Sequence, residues 1–350
     1  DTSTGQNEFQ KANLRVYLER IMSLKRERIE ATLAGERVDQ IPITMWRHFY
    51  GKEVTAEGLA ESMLGFQREY DWDFMKVNPR AQYHVEDWGA TFEYTSDPNT
   101  APNLIHAPIA SANDWETLTV LDPTKGTLGE HLHALSLIKD GLNGQVPFVM
   151  TVFNPLSIAG RLVSSDEILV QHLREHPKKV HAALEVITES YRRFVTECLN
   201  VGVDGIFYAT TAWASYDLLT DAEYEEFGRP YDLRLLDASN GAPFDILHVC
   251  RSNNMLSTLA NYPVQALNWD DRDDTNCNLE NSPTHSNKVL IGGIDRRTMT
   301  RSKPVQSAVA EAQQAVDQMA SKAFILGPTC SISPYTPDET LRAVTSTIRK

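Results

Sequence analysis

Eight short, continuously apolar runs recur along this chain, each followed by a longer helical pattern, and that alternation limits the folds open to it. The runs occupy residues 41–46, 74–78, 147–153, 205–209, 244–249, 264–269, 289–294 and 323–327. They show little in/out alternation, as expected of parallel strands covered on both faces. Helical patterns fill residues 57–69, 128–142, 166–199, 221–238, 252–260, 303–320 and 337–348. Pro177 suits the first turn of a second helix within 166–199, and Thr220 with Glu223 forms a capping-box pattern. Strand–helix units of this length pair in parallel through right-handed crossovers. Eight of them predict a closed (β/α)8 TIM barrel, an α/β fold, over residues 41–350. No Gly-x-Gly-x-x-Gly follows the first run, so an open dinucleotide-binding sheet lacks its main support.

Two regions fall outside the repeat. Residues 1–40 are expected as a helical extension packing on the barrel, with one or two charged helices from residue 9 to 35 covering its bottom. Residues 79–127 are too long for a simple connection and read as an inserted hairpin and excursion over one rim. A polar stretch at 271–287, after the sixth run, reads as a mobile loop.

A length of 350 residues suits one large barrel. The net charge of −14 argues against nucleic acid and anionic membranes as partners. No apolar run approaches the ~20 residues of a membrane helix, and the polar opening stretch does not resemble a signal peptide. We therefore expect a cytoplasmic protein. Four cysteines, Cys198, Cys250, Cys277 and Cys330, do not make a disulfide framework in a chain of this size.

Barrels of this kind place their chemistry at the C-terminal strand ends. Reading those ends gives Trp46, Arg47 and His48, then Asn78, Asn154, Thr210 and Thr211. His248 and Cys250 follow, then Asn268, Asp270, Asp295, Arg296 and Cys330. His-x-Cys puts two soft ligands on one side of an extended chain. Cys330 would close the set from another strand, leaving a fourth tetrahedral position for a reactant on zinc. Free cysteine is also a small buried hydrophobe, which is the simpler reading of Cys198. Cys277 reads as an exposed bystander or a fourth ligand. Arg47 could anchor a substrate carboxylate, or pair with Asp270 or Asp295 as support. Asp295 could act in catalysis or cap its loop. His48, Asn78, Asn154, Tyr208, Thr211 and Asp270 are the candidate substrate contacts, though aromatic packing under the loop equally accounts for Tyr208.

The sequence resembles the uroporphyrinogen decarboxylase superfamily from about residue 25 onward. The resemblance rests on RIEATLAGERVDQIPITMWR at the first strand and on GVDGIFYATTAWASYDLLTDAEYEEFGRPY, with Phe227, Pro230 and Tyr231. VLIGGID and FILGPTCSISPYTPDETLRAV extend it over the last two strands. Decarboxylases of the superfamily carry Arg-Gln-x-x-Arg after the first strand, whereas this chain has Arg47-His48-Phe49-Tyr50-Gly51. They carry Gly-His-Gly after the last, whereas this chain has Gly327-Pro328-Thr329-Cys330. Their strand-four aspartate is replaced within Tyr208-Ala209-Thr210-Thr211, and one mouth arginine would serve a polycarboxylate poorly.

The zinc-dependent, corrinoid-linked methyltransferase branch is the better match, through His248-Val249-Cys250 and the stretch from Gly327 through Cys330 and Pro334 to Pro337. That resemblance implies a zinc-activated small thiol, a methyl-corrinoid carried by a partner protein, and a possible homodimer. Alternatives are a metal-free decarboxylase of a smaller acid, held by Arg47, and a non-catalytic barrel binding a tetrapyrrole or corrinoid.

Overall fold

The computed structural model describes residues 25–95, 97, 99–283 and 288–349. Among the described residues nine strands form: β1 (Met75–Val77), β2 (Thr91–Glu93), β3 (Asn103–His106), β4 (Phe148–Phe153), β5 (Gly205–Ala209), β6 (Ile246–Val249), β7 (Ala266–Trp269), β8 (Val289–Ile294) and β9 (Phe324–Pro328). Seven of them make one curled parallel sheet in the order β1-β4-β5-β6-β7-β8-β9. β2 and β3 pair antiparallel as the expected inserted hairpin.

The first predicted strand, 41–46, differs. It makes a single parallel bridge, Ile43 to Leu326 of β9. The physical reason lies in its neighbours. Pro42 has no N–H to donate, although its carbonyl accepts from Leu326 N at 2.8 Å and Thr44 N donates to Leu326 O at 3.0 Å. Toward β1 the ladder is partly replaced by side chains. The Asp73 carboxylate accepts from Ile43 N at 2.7 Å, and Thr44 Oγ1 donates to Phe74 O at 2.9 Å. Residues 42–46 thus occupy the eighth position between β9 and β1 and close the ring.

Side-chain parity divides the core in two. One cluster fills the barrel with Trp46, Phe74, Val149, Phe207, Ala209, Ile246, Ala266 and Ile291 among others. The larger one lies between the sheet and its helices and takes the opposite residues, such as Tyr208, Leu247, Leu267 and Leu290. Ile29, on a helix at 25–33, joins the inner cluster. Arg28 ties that helix to Asp73 and Asp39 at 2.5 and 2.8 Å. The rest of the expected 1–40 extension, residues 1–24, lies outside the described residues.

Helix ends follow local chemistry. The 166–199 pattern is two helices, Asp166–Glu175 and Pro177–Val201, with Pro177 in the first turn of the second. The 221–238 pattern breaks at Gly228 into Asp221–Phe227 and Arg229–Leu236, and the Thr220–Glu223 capping box is present. Only Leu256–Leu259 of the 252–260 pattern is helical. A helix absent from the sequence reading, Pro155–Leu162, starts directly after β4, with Asn154 as N-cap and Pro155 in the first turn. Gly293 has φ +100°, and a Cβ there would lie 2.4 Å from Ala315 Cβ. The missing side chain lets the 305–318 helix pack against β8. Residues 271–283 of the polar loop are tied down. Thr275 and Asn276 accept from the backbone of Asn253 and Asn254, and Asn276 Nδ2 donates to Arg251 O and Asp270 O, both at 2.9 Å. Residues 284–287 are not described. No described helix is long and apolar enough to cross a membrane.

Candidate metal centre

β6 delivers His248 with the inward parity of Ile246, and Cys250 repeats that parity two residues on, at the C-terminal mouth. Cys330 reaches the same point just after β9. One ligand atom from each of His248, Cys250 and Cys330 lies within 4.8 Å of the others. Cys250 Sγ stands 3.5 Å from Cys330 Sγ, and Cys330 Sγ stands 3.6 Å from His248 Nε2. A tetrahedral zinc with ordinary bond lengths sets two sulfurs about 3.8 Å apart and sulfur and nitrogen about 3.6 Å apart. The donor set suits zinc, and two of its three spacings match those values, while the third, His248 to Cys250, lies within 4.8 Å.

Asn268 on β7 orients the histidine. Its Nδ2 donates to Ile291 O at 2.9 Å and Pro328 O at 3.1 Å, so both amide hydrogens are committed. Its Oδ1 therefore faces His248 Nδ1, at 2.5 Å, and must accept from it. That places the proton on Nδ1 and leaves the Nε2 lone pair aimed at the cysteines. Phe207 stacks on the imidazole at 5.0 Å and fixes its plane. The hydrogen bond from Cys250 holds Cys330 well below the ordinary thiol range, and the same contact, with burial, pushes Cys250 up.

A cavity of about 520 Å³ opens above this cluster. His48, Asn78 and Thr211 line it, as the strand-end reading expects. His48 Nδ1 lies 3.1 Å from Glu53 Oε1, and its ring stacks on Tyr50. Asn78 Oδ1 accepts from Lys76 Nζ at 2.5 Å, and Thr211 Oγ1 shares a 2.7 Å hydrogen bond with Ser157.

Five other candidates lie elsewhere. Arg47 follows Trp46, which lines the cavity, and so points away from it. Its guanidinium sits over the rings of Phe66 and Phe49 at 4.8 and 5.3 Å and reaches neither Asp270 nor Asp295. Asp295 caps its own loop by accepting from Arg297 N at 2.8 Å, and it clamps the Arg297 side chain. Asp270 holds that same guanidinium at 3.2 Å. Asn154 and Tyr208 belong to a network outside the barrel wall. Tyr208 and Asn154 donate to Asp232 Oδ1 at 2.8 and 3.2 Å, and Tyr224 and Tyr262 donate to Oδ2 at 2.6 and 2.8 Å. Cys198 is fully buried, as expected of core. Cys277 is half-buried against the core, not exposed, and its carbonyl accepts from Trp269 Nε1 at 2.7 Å.

The strand-end reading missed several lining residues: Lys76, Arg161, Arg251 and Arg297, with Arg296 read as a strand end only. Lys76 lies inside the barrel with its ammonium 4.7 Å from the Phe207 ring, and burial lowers its pKa to about 7. The adjacency of Arg251 to Cys250 and of Arg297 to Arg296 was a usable signal. Lys76 shares the parity of Asn78 two residues on, a signal left unused, and nothing marked Arg161.

Comparison with known proteins places this geometry in a family. Residues 24–350 match the uroporphyrinogen decarboxylase (URO-D) family. A methylcobamide:CoM methyltransferase (MtbA) of Methanosarcina acetivorans is 24% identical over 257 residues, 70% of each chain. The corresponding MtaA protein of Methanosarcina barkeri is 23% identical over 249 residues, again 70% of each. A solved methyltransferase from Methanosarcina mazei superposes with a TM-score of 0.80 over 93% of this chain and 97% of its own, at 21% identity, and so shares the fold. The chain belongs to the uroporphyrinogen decarboxylase family.

Proposed function

We propose that the protein is a methyltransferase that moves a methyl group between a corrinoid, carried by a partner protein, and a small thiol activated on zinc. The observation that carries this reading is the convergence of His248 Nε2, Cys250 Sγ and Cys330 Sγ within 4.8 Å at the floor of a solvent-open cavity. The methylcobamide:CoM methyltransferase names of its relatives support the reaction class. His248, Cys250 and Cys330 would hold the metal and leave a position for a thiol from the cavity. Bound there, zinc supplies the Lewis acidity that keeps a thiol deprotonated at neutral pH. Asn268 keeps the imidazole in its ligating tautomer, while Trp46 and Phe207 exclude water beneath it.

A metal-free decarboxylase held by Arg47 loses its anchor, because Arg47 packs outside the cavity.

Elemental analysis of the purified protein tests the proposal, together with thiol-dependent demethylation of methylcobalamin. About one equivalent of zinc is expected in the parent and in Cys277→Ser, and its loss, with activity, in Cys330→Ala. A parent without zinc whose activity survives Cys330→Ala refutes the reading.

A further inference from the structure

The cavity has a charge character opposite to that of the chain around it. The protein carries 47 acidic and 33 basic residues and a net charge of −14. Yet the cavity lining includes Lys76, Arg161, Arg251, Arg296 and Arg297, and no aspartate or glutamate. Arg297 is neutralised by Asp270, Asp273 and Asp295. The other three arginines form no ion pair among the described residues, although Asp166 lies near enough to act on Arg161. They come from three separate elements: Arg161 from the Pro155–Leu162 helix, Arg251 from the turn after Cys250, and Arg296 from the turn after β8. Arg251 holds φ +74°, a left-handed backbone unusual for arginine, and Arg296 Nε is buried without a hydrogen-bond partner. Arg161 and Arg251 are exposed to solvent on the cavity side, where a ligand can reach them.

Unpaired guanidiniums around one cavity call for an anion, and their number favours one with several acceptor oxygens. A single carboxylate, with two oxygens, engages one guanidinium fork. Three forks on three walls offer about six N–H donors, more than the roughly four acceptor sites of one carboxylate can satisfy. The zinc reading does not absorb them, since two thiolates and a neutral histidine already balance a divalent ion.

We infer that Arg161, Arg251 and Arg296 form a subsite for a dianionic group, so that the small molecule accepted here is a thiol bearing two carboxylates or a phosphate rather than a neutral thiol or one with a single carboxylate. The inference deepens the proposed function by naming its substrate class, and it rests on that reading only for the thiol.

The anion subsite is tested without the metal or the reaction. Binding of acetate, succinate and inorganic phosphate is measured by titration calorimetry on the purified protein, before and after zinc is removed with a chelator. Succinate or phosphate is expected to bind at least tenfold more tightly than acetate, in both states. Preference for succinate marks a dicarboxylate, and preference for phosphate marks a phosphomonoester. Arg161→Gln and Arg251→Gln should each weaken the preferred anion roughly 10- to 100-fold, as expected for loss of a charge-assisted hydrogen bond. Arg251→Lys should restore part of it, with circular dichroism unchanged throughout. Equal binding of the three anions, no binding of any, or binding that survives the Arg161→Gln/Arg251→Gln double variant overturns the inference. Because no arginine is a proposed metal ligand, absence of zinc with a retained dianion preference refutes the zinc reading alone, and the converse refutes the subsite alone.

Discussion

Replacing Asn268 tests how the protein prepares its histidine. The side chain is fully buried and bridges three groups: His248 Nδ1, Ile291 O and Pro328 O. Asn268→Ala leaves one buried donor and two buried carbonyls without that partner. At about 1–3 kcal/mol for each orphaned group, softened where water enters, the chelated protein should lose roughly 2–4 kcal/mol of stability. The imidazole also loses the acceptor that fixes its tautomer, and zinc affinity should fall about 10- to 100-fold. Asn268→Asp separates the two effects. It keeps an acceptor against Nδ1–H, and a carboxylate strengthens the imidazole as a donor. It also removes both N–H donors to Ile291 and Pro328. Zinc affinity should then hold while stability drops. Competition with a chromophoric chelator measures the affinity, and urea denaturation of the chelated protein measures the stability. An Asn268→Ala affinity within about threefold of the parent, beside a clear loss of stability, would refute the tautomer argument and leave Asn268 as a brace between β7, β8 and β9.

Two further outcomes follow from buried carboxylates. Asp271 is buried at the end of β7 and accepts from Gly293 N at 3.1 Å, and burial raises its pKa to about 7. A folded carboxyl with a raised pKa favours the protonated state, so its stabilising effect is full below about pH 4 and fades as pH rises through 7. Asp271→Asn, which keeps the acceptor, should therefore raise the melting temperature of the chelated protein more at pH 8 than at pH 5, and an equal change at both would refute the assignment. Asp232 takes hydroxyl donors from three tyrosines. Tyr208→Phe should cost about 1–3 kcal/mol in urea denaturation with zinc content unchanged, and a parallel loss of zinc would show that the network reaches the metal site.

How far the site could be read in advance turns on parity. The eightfold alternation was legible because strands buried on both faces become unbroken apolar runs, and composition alone exposes them. It was least legible at 42–46, where Pro42 and the carboxylate of Asp73 replace ladder bonds and leave one bridge. The His248–Cys250 part of the cluster was legible because the two residues share parity on one strand. The same rule, applied strand by strand, would have removed the wrong candidates. Phe207 and Ala209 face the cavity, so Tyr208 between them cannot. Trp46 and His48 face it, so Arg47 cannot. Asn154 fails for another reason: a residue followed by proline and a helical pattern is first a helix cap, and Asn154 accepts from Ser157 N at 2.9 Å in that role. Missing that helix also hid Arg161, whose place on the cavity wall depends on where the helix begins. Strand parity therefore assigns residues within the barrel, whereas Arg161 on the cavity wall becomes visible only once the helix start after β4 is known.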